Sequence, residues 1–530
     1  MKQTLKHVAL AAAVVGLSAA CTKDFLTEAP SDFVSPVNFY KTAGDATAAV
    51  NAAYGSFINL RSPLSSSQYM GRNLWMVLEY PTEVATSRLS ATNERSLVEN
   101  YHTQFNSAHA YLQGIWEAAY AGINRANSVI DRVPGVTMDV SRRDQLIAEA
   151  KYLRALHYYY LAGLFGGVPL KLTETSAIDG ENVPRSTAAQ TWAQIAKDLT
   201  EASAVLPTAW GASDYGRATK GAALTLLGKA YLQSAATQSA SGNWQKGLDA
   251  FKTVMTLGYL LDPSYASLFD GSNEKSKEII FSFQNIRVDG AGGTLTQWFV
   301  PVTSPAIYPL SQQNQFQAER AFYDSYNVTD VRKDGTWRTS FTNAGKLITW
   351  AWTSGIQSAT NYGSTGPVPI KYVDLGGAST QGEAPDLVIT RYADVLLSAA
   401  EAANEISGPS GEAYGYVNLV RARAKVPALT AGLSQGAFRD SVFLERRYEL
   451  AIEGHGLLDN RRNWTWSKAR LEKSMSNITN DNKSPFTSAT TKFDARPILD
   501  KWKLYPVPLR ACQLNITLTQ NTGWEDGVCK

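Results

Sequence analysis

Apolar residues recur at three- and four-residue steps along most of the chain, the repeat that lays one stripe on an α-helix. The pattern is densest from Thr390 to Trp464. Tyr392, Val395, Leu396, Ala399, Ala403 and Ile406 predict one helix there. Ala413, Val417, Val420 and Ala424 predict a second, with Gly411 before it and Pro427 behind it. A third carries Phe443, Leu444, Leu450 and Ala451 at seven-residue returns, among Glu445, Arg446, Arg447, Glu449 and Glu453. Nearer the start, Phe39–Asn59 predicts an opening helix beginning after Thr42 or Asp45. Ile115, Ala119, Ile123, Ala126 and Ile130 carry a stripe to Pro134. Leu146, Ala150, Leu153, Tyr160 and Leu164 carry another to Gly166 and Gly167. Short amphipathic helices joined by Gly/Pro turns must stack on neighbours to hide their apolar faces.

An internal repeat says how they stack. Tetratricopeptide units place small or aromatic residues at fixed offsets on two antiparallel helices. Leu227, Gly228 and Tyr231 supply the first-helix pattern, and Gly247, Phe251 and Val254 the four-then-three spacing of the second. Ile195, Leu199 and Ala202, followed by Pro207, repeat that spacing, as do Ala413, Val417 and Val420. The connection around Ser234–Gly242 is longer than a standard repeat allows. Any helical hairpin gives a four-three pattern, but its recurrence favours a mainly α, TPR-like solenoid. Such a solenoid offers a scaffold and a protein-docking surface rather than a reaction centre.

Helical periodicity fades between about 262 and 386, where Gly, Ser, Thr, Asn and Pro dominate. This irregular lobe holds Trp298, Tyr308, Tyr323, Tyr326, Trp337, Trp350, Trp352 and Tyr362. A second polar-aromatic stretch, SSSQYMGRNLWMVLEYPTEVATSR, lies between the first two helices. Loops on a rigid scaffold are where binding residues concentrate. Aromatic faces flanked by Asn, Arg, Asp and Glu suit a carbohydrate, whose C–H face stacks while its hydroxyls hydrogen-bond. The candidates are Arg72, Asn73, Trp75 and Glu83 from the early stretch and Trp298, Trp337, Trp350 and Trp352 from the lobe. A buried aromatic or a salt bridge is the alternative for each.

Composition narrows the function classes. Of 530 residues, 44% are hydrophobic and 18% charged, which fits a globular chain. The net charge of +3, with no basic run, points away from nucleic acid. The 13 Trp and 25 Tyr exceed what a helical core demands. Lys2, Lys6 and His7 precede the apolar run Val8–Leu17 and then Ser18-Ala19-Ala20-Cys21, which is a signal peptide over 1–20. Cys21 after small residues reads as a bacterial lipobox, although Ser18 stands where leucine is usual. A lipid there tethers the protein to a membrane through a lead-in over 21–38. Cys512 and Cys529 remain, either paired as a disulfide or free. No Cys/His spacing for zinc and no cofactor motif is present; a calcium ion bracing a loop stays open. GxSxG, HExxH, P-loop and GxGxxG motifs are absent. His157 lies on an apolar stripe and reads as packing. Glu445 and Glu449 stand four apart on one helix face as a carboxylate pair would, but Arg446, Arg447 and Arg421 or Arg423 favour an ion-pair network, and no motif marks the two carboxylates that a glycosidase sets across a cleft.

RYADVLLSAAEAANE, VNLVRARA and LERRYELAIEGHGLLDNRR, in that order, resemble the C-terminal signature of the SusD/RagB family of outer-membrane nutrient-binding lipoproteins. AEAKYLRALHYYYLAGLFGGVPL, the mature start CTKDFLTEAPSDF and the closing WKLYPVPLRACQLNITLTQNTGW resemble further family blocks. The resemblance implies one SusD-like domain over 39–530, with helices about 39–260 and 387–465, a ligand lobe about 262–386 and an extended segment 466–530. It implies a non-enzymatic, cell-surface lipoprotein that binds a glycan and delivers it to a SusC-like, TonB-dependent outer-membrane transporter. The same role for oligopeptides, or a secreted glycoside-processing enzyme, is the alternative.

Overall fold

Helix α1, Ala43–Ile58, begins where the sequence places it, because Thr42 and Asp45 cap each other. The Thr42 N–H donates to Asp45 Oδ2 at 2.8 Å and the Asp45 N–H to Thr42 Oγ1 at 3.1 Å. The structure, a computed structural model, describes residues 39–58, 69–86, 94–99, 101–175, 182–287, 295–299, 316–343, 346–349, 366–374, 383–480 and 497–530. The expected signal peptide over 1–20, Cys21, Trp350 and Trp352 lie outside them.

The other stripes become α2 (Ala110–Arg132) and α3 (Val140–Phe165). Pro134 closes the first within a 3₁₀ turn, and Gly166 at φ +76° closes the second, a conformation that favours glycine. Helices α4 (Ala188–Val205), α5 (Lys220–Thr237) and α6 (Asn243–Met255) follow, α4 with a full capping box from Thr187 and Gln190. Each helix packs on the next from α1 to α6. The repeat marks where they come closest. A Cβ on Gly228 would fall 2.5 Å from the Phe251 ring, and one on Gly247 2.5 Å from Leu232. The connection expected to be long is a short turn, because α5 runs on to Thr237.

After α6 the chain leaves the solenoid and returns as α7 (Tyr392–Ser407), which packs on α6 as the next layer. Helices α8 (Gly411–Arg423) and α9 (Gln435–Glu449) complete the stack, N-capped by Ser410 and Ser434. The signature helix α9 stops at Glu449, so Leu450 and Ala451, expected on it, lie past its end. Both stay buried while the backbone turns, with Ile452 at φ +63°. Helices α10 (Gly456–Arg462) and α11 (Trp464–Asn480) follow, so the segment after 465 is not extended throughout. Its Pro506–Pro508 stretch is, with the Tyr505 N–H donating to the Leu164 carbonyl at 2.8 Å.

The excursion between α6 and α7 is held at its neck. Strand β1 (Ile279–Phe283) pairs antiparallel with β2 (Leu387–Arg391). Smaller pairings join Trp337–Arg338 to Val368–Pro369 and Ser340–Asn343 to Lys346–Thr349. Ala85–Thr86 pairs with Gln317–Ala318, which ties the early polar-aromatic stretch to the lobe.

The charges of the signature lie inside. Arg332 meets Asp330, Glu445 and Glu449; Arg391 meets Glu278, Glu449 and Glu453. Arg421 meets Glu445, Arg423 meets Glu278 and Glu449, and Lys371 meets Glu453. Five cations thus face five carboxylates, an ion-pair network rather than a catalytic pair; of the partners expected for Glu445 and Glu449, Arg421 and Arg423 belong to it, whereas Arg446 pairs with Asp394 and Asp459 and Arg447 with Glu83 and Asp459. His157 is packing as expected: it is buried, stacked on Phe57 at 3.8 Å and hydrogen-bonded to Ser56 Oγ at 2.9 Å. Burial, with Arg125 nearby, pushes its imidazole down to about 3. Cys512 and Cys529 are joined as a disulfide, their Cα atoms 5.1 Å apart.

Candidate functional site

Two of the eight candidate residues come together. Arg72 sits in a π-helical turn, Tyr69–Leu74, and Trp298 on a single helical turn, Leu295–Phe299. The Arg72 guanidinium lies 4.6 Å from the Trp298 ring centre and 5.6 Å from that of Tyr111. Arg95, from the short helix Glu94–Glu99, donates from Nε to the Tyr111 hydroxyl at 2.9 Å and lies 6.0 Å from the Trp298 ring. Four segments, 226 residues apart at the extremes (298 minus 72), thus meet in one aromatic and cationic cluster.

The lobe side is fixed in place. The Thr296 N–H donates to Glu383 Oε2 at 2.9 Å, and Thr296 Oγ1 accepts from the Asp374 N–H at 2.9 Å. Phe299 packs edge-on to Phe316, which stacks on Tyr80 at 4.3 Å. Arg72 and Trp298 both keep part of their surface exposed. Arg72 Nε and Trp298 Nε1 make no hydrogen bond among the described residues. A polar group left so costs about 1–3 kcal/mol unless water or ligand meets it.

Four other candidates are core residues. Trp75 is 1% exposed and packs edge-on to Tyr372 at 5.8 Å. It faces Gly454, at φ +77°, where a Cβ would fall 3.2 Å from the indole. Trp337 is 3% exposed and pairs in a strand with Pro369. Asn73 is fully buried. Glu83 is buried between Arg470, at 3.0 Å, and Arg447, at 3.5 Å. Burial opposes its ionisation, but the two guanidiniums outweigh it and hold the carboxyl below its usual range. These four are packed in the interior and make none of the contacts of the Arg72–Trp298 cluster. Tyr111 and Arg95 are the contributors the sequence did not single out. Tyr111 stands in the first turn of α2, one turn ahead of the stripe that marks the helix, and Arg95 comes from a separate segment.

Among the described residues no group of three or more His, Cys, Asp or Glu is placed to hold a metal ion. No described helix is long and apolar enough to cross a membrane.

A family profile described as the SusD family matches residues 237–524, and one described as starch-binding associating with outer membrane matches residues 62–232. A SusD-like protein of Formosa agariphila is 27% identical over 541 residues, covering 95% of this chain and 96% of that protein. A SusD homologue from Bacteroides thetaiotaomicron shares the fold with a TM-score of 0.78 at 23% identity, over 92% of this chain and 99% of that one. Surface glycan-binding protein A from Bacteroides uniformis does so with a TM-score of 0.71 at 22% identity, over 91% and 99%. The solenoid with the lobe inserted between α6 and α7 accords with the shared fold, and the chain belongs to the SusD family.

Proposed function

We propose that the protein binds a glycan at the Arg72–Trp298 cluster and delivers it to a SusC-like, TonB-dependent outer-membrane transporter. In this reading Cys21 carries the lipid that anchors it to the outer membrane at the cell surface, and it closes over the transporter as a lid. The observation that carries the binding step is Arg72 held between Trp298 and Tyr111 where the early stretch meets the lobe. A guanidinium over an indole restrains the ring, and a restrained aromatic plane is what a pyranose face needs to stack on. Arg72, whose Nε makes no hydrogen bond among the described residues, adds a donor for a hydroxyl. The outer-membrane description of the profile over 62–232 and the glycan-binding structural neighbour support the same reading.

No catalytic step is assigned. Glu445 and Glu449, the carboxylates spaced as a pair, are each bonded to arginines and buried. Calorimetric titration against a panel of glycans and oligopeptides tests the binding. Trp298→Ala should weaken the recognised ligand by about 1–3 kcal/mol, and an unchanged affinity would place the site elsewhere. A ligand drawn from the peptides would transfer the same role to oligopeptides, and release of products from a glycan would mark an enzyme. Purification of the tagged lipoprotein from its native membrane in mild detergent tests delivery: a transporter barrel should come with it in fixed ratio, and recovery of the protein alone would sink that step.

A further inference from the structure

A deep cleft in the helical body shares no side chain with the Arg72–Trp298 cluster. Its volume is about 630 Å³, within the range that holds small organic ligands and roomy enough for a short oligosaccharide. The alternate helices α3, α5 and α7 line it, and α9 and α10 close it. Trp192, Trp464 and Phe443 form buried parts of its wall, while Trp244, at the start of α6, is partly exposed.

Two planar Arg–Glu forks stand in the lining. Glu401 and Glu405 are one turn apart on α7. Arg462 donates to Glu401 from Nε and Nη2, both at 2.8 Å. Arg439 donates to Glu405 from Nε and Nη2, both at 2.5 Å. The first fork is buried, with side chains 4% and 2% exposed; the second is open, at 33% and 14%. The two remaining cations are spoken for: Arg461 donates to the carbonyls of Gly163, Leu164 and Trp502, and Lys503 pairs with Asp500 at 3.0 Å.

This chemistry selects its ligand class. An anion would meet Glu401 and Glu405, and a cation would meet Arg439 and Arg462. A neutral group that donates and accepts in one plane fits a fork without displacing it, and a hydroxyl does both. A partly exposed indole beside such forks adds an apolar face. Aromatic plane, paired donors and acceptors, and charge balance together describe a neutral sugar.

We propose that this cleft is a second saccharide-binding site, which holds a neutral trisaccharide-length segment with one ring against Trp244 and hydroxyls on the Glu405–Arg439 fork. It rests on the reading of the protein as a glycan binder, and the test separates the two. The full chain is titrated calorimetrically with maltotriose, laminaritriose, cellotriose, xylotriose and mannotriose, each to about 10 mM, where even a millimolar site is nearly filled. Trp244→Ala should weaken one class of sites at least about tenfold, as loss of a hot-spot aromatic does. Trp244→Tyr should restore it, and Trp298→Ala should leave it intact. Binding unchanged in Trp244→Ala for every sugar, or no binding of any of them to the wild-type chain, would overturn the proposal. Loss in Trp244→Ala with no effect of Trp298→Ala would retain the cleft and reject the Arg72–Trp298 site instead.

Discussion

Replacing Arg391 with methionine strikes the centre of the buried charge network. Arg391 is fully buried and makes five charge-assisted hydrogen bonds. Nε and Nη2 donate to Glu453 at 2.7 and 2.8 Å, Nη1 to Glu278 at 2.7 Å and Glu449 at 2.5 Å, and Nη2 to the Glu449 carbonyl at 2.7 Å. Methionine keeps much of the volume, so the cavity term is small. The electrostatic term is not. Five cations against five carboxylates become four against five, and the surplus negative charge stays in a dry interior. None of the three acids is orphaned: Glu278 keeps Arg423, Glu449 keeps Arg332 and Arg423, and Glu453 keeps Lys371. The expected cost is therefore near the lower end of the range for breaking a buried pair, about 3 kcal/mol. Urea unfolding followed by tryptophan fluorescence reads it directly. Arg391→Met with Glu453→Gln restores charge balance and should recover part of the loss. A single variant within about 1 kcal/mol of wild type, or a double variant worse than the single one by the full cost of a second broken pair, would refute the reasoning.

Trp75→Ala should lower stability by about 3–5 kcal/mol, as emptying a core aromatic site does, and leave ligand affinity per folded molecule unchanged; titration and unfolding on one sample check both. Gly228→Ala should destabilise by about 1–3 kcal/mol through the clash with Phe251, while Gly415→Ala, with nothing within 4 Å on α8, should stabilise by about 0.5–1 kcal/mol; paired unfolding midpoints decide. Burial pushes the Glu79 carboxyl up from 4.5 to about 7, against the opposing Gly454 N–H and Arg447. The folded chain then holds a proton that the unfolded chain releases, so this group stabilises fully below about 4.5 and its contribution is lost as pH rises through about 7, a change of roughly 3 kcal/mol. Glu79→Gln should flatten that part of a stability-against-pH curve, and an unaltered slope would count against the shift.

Helices such as α2 and α6 were legible because each buries one face, which a three-four stripe records, whereas α3, α5 and α7 are buried on nearly every side of their central turns. The same fact explains the overrun at α9: Leu450 and Ala451 remain in the core after the backbone has turned away, and periodicity registers the core rather than the turn. Trp75 was misread as surface although a signal against it was present. It sits in Leu74-Trp75-Met76-Val77-Leu78, an unbroken apolar run, and all five side chains are buried. Trp298 follows Thr296 and Gln297, the mixed context of a boundary. The Arg72–Trp298 contact itself has no local signature, because four separate segments make it. The charge-dense motif was read correctly as a network, yet only its solenoid half was visible. Glu278, Arg332 and Lys371 come from the lobe, where no periodic pattern leads to them.

That lobe contribution explains why a solenoid carries its charges inside. The lobe leaves after α6 and must return in register for α7 to stack, with well over a hundred residues between. Apolar contacts alone would tolerate sliding of β1 against β2. Arg391, the last residue of β2, meets Glu449 at the end of α9, Glu453 just past it and Glu278 just before β1, and the bidentate bond to buried Glu453 accepts one position only. The lock therefore fixes the neck of the lobe to the end of the solenoid. The same lobe presents Trp298 to Arg72, so if the proposed site is the binding surface, fixing the neck would lower the free energy spent on ordering it. On this account Arg391→Met should weaken glycan binding as well as stability, by loosening the lobe that carries Trp298. Hydrogen exchange over the Leu295–Phe299 turn should rise in the variant, and exchange there equal to wild type would show that neck and site are independent.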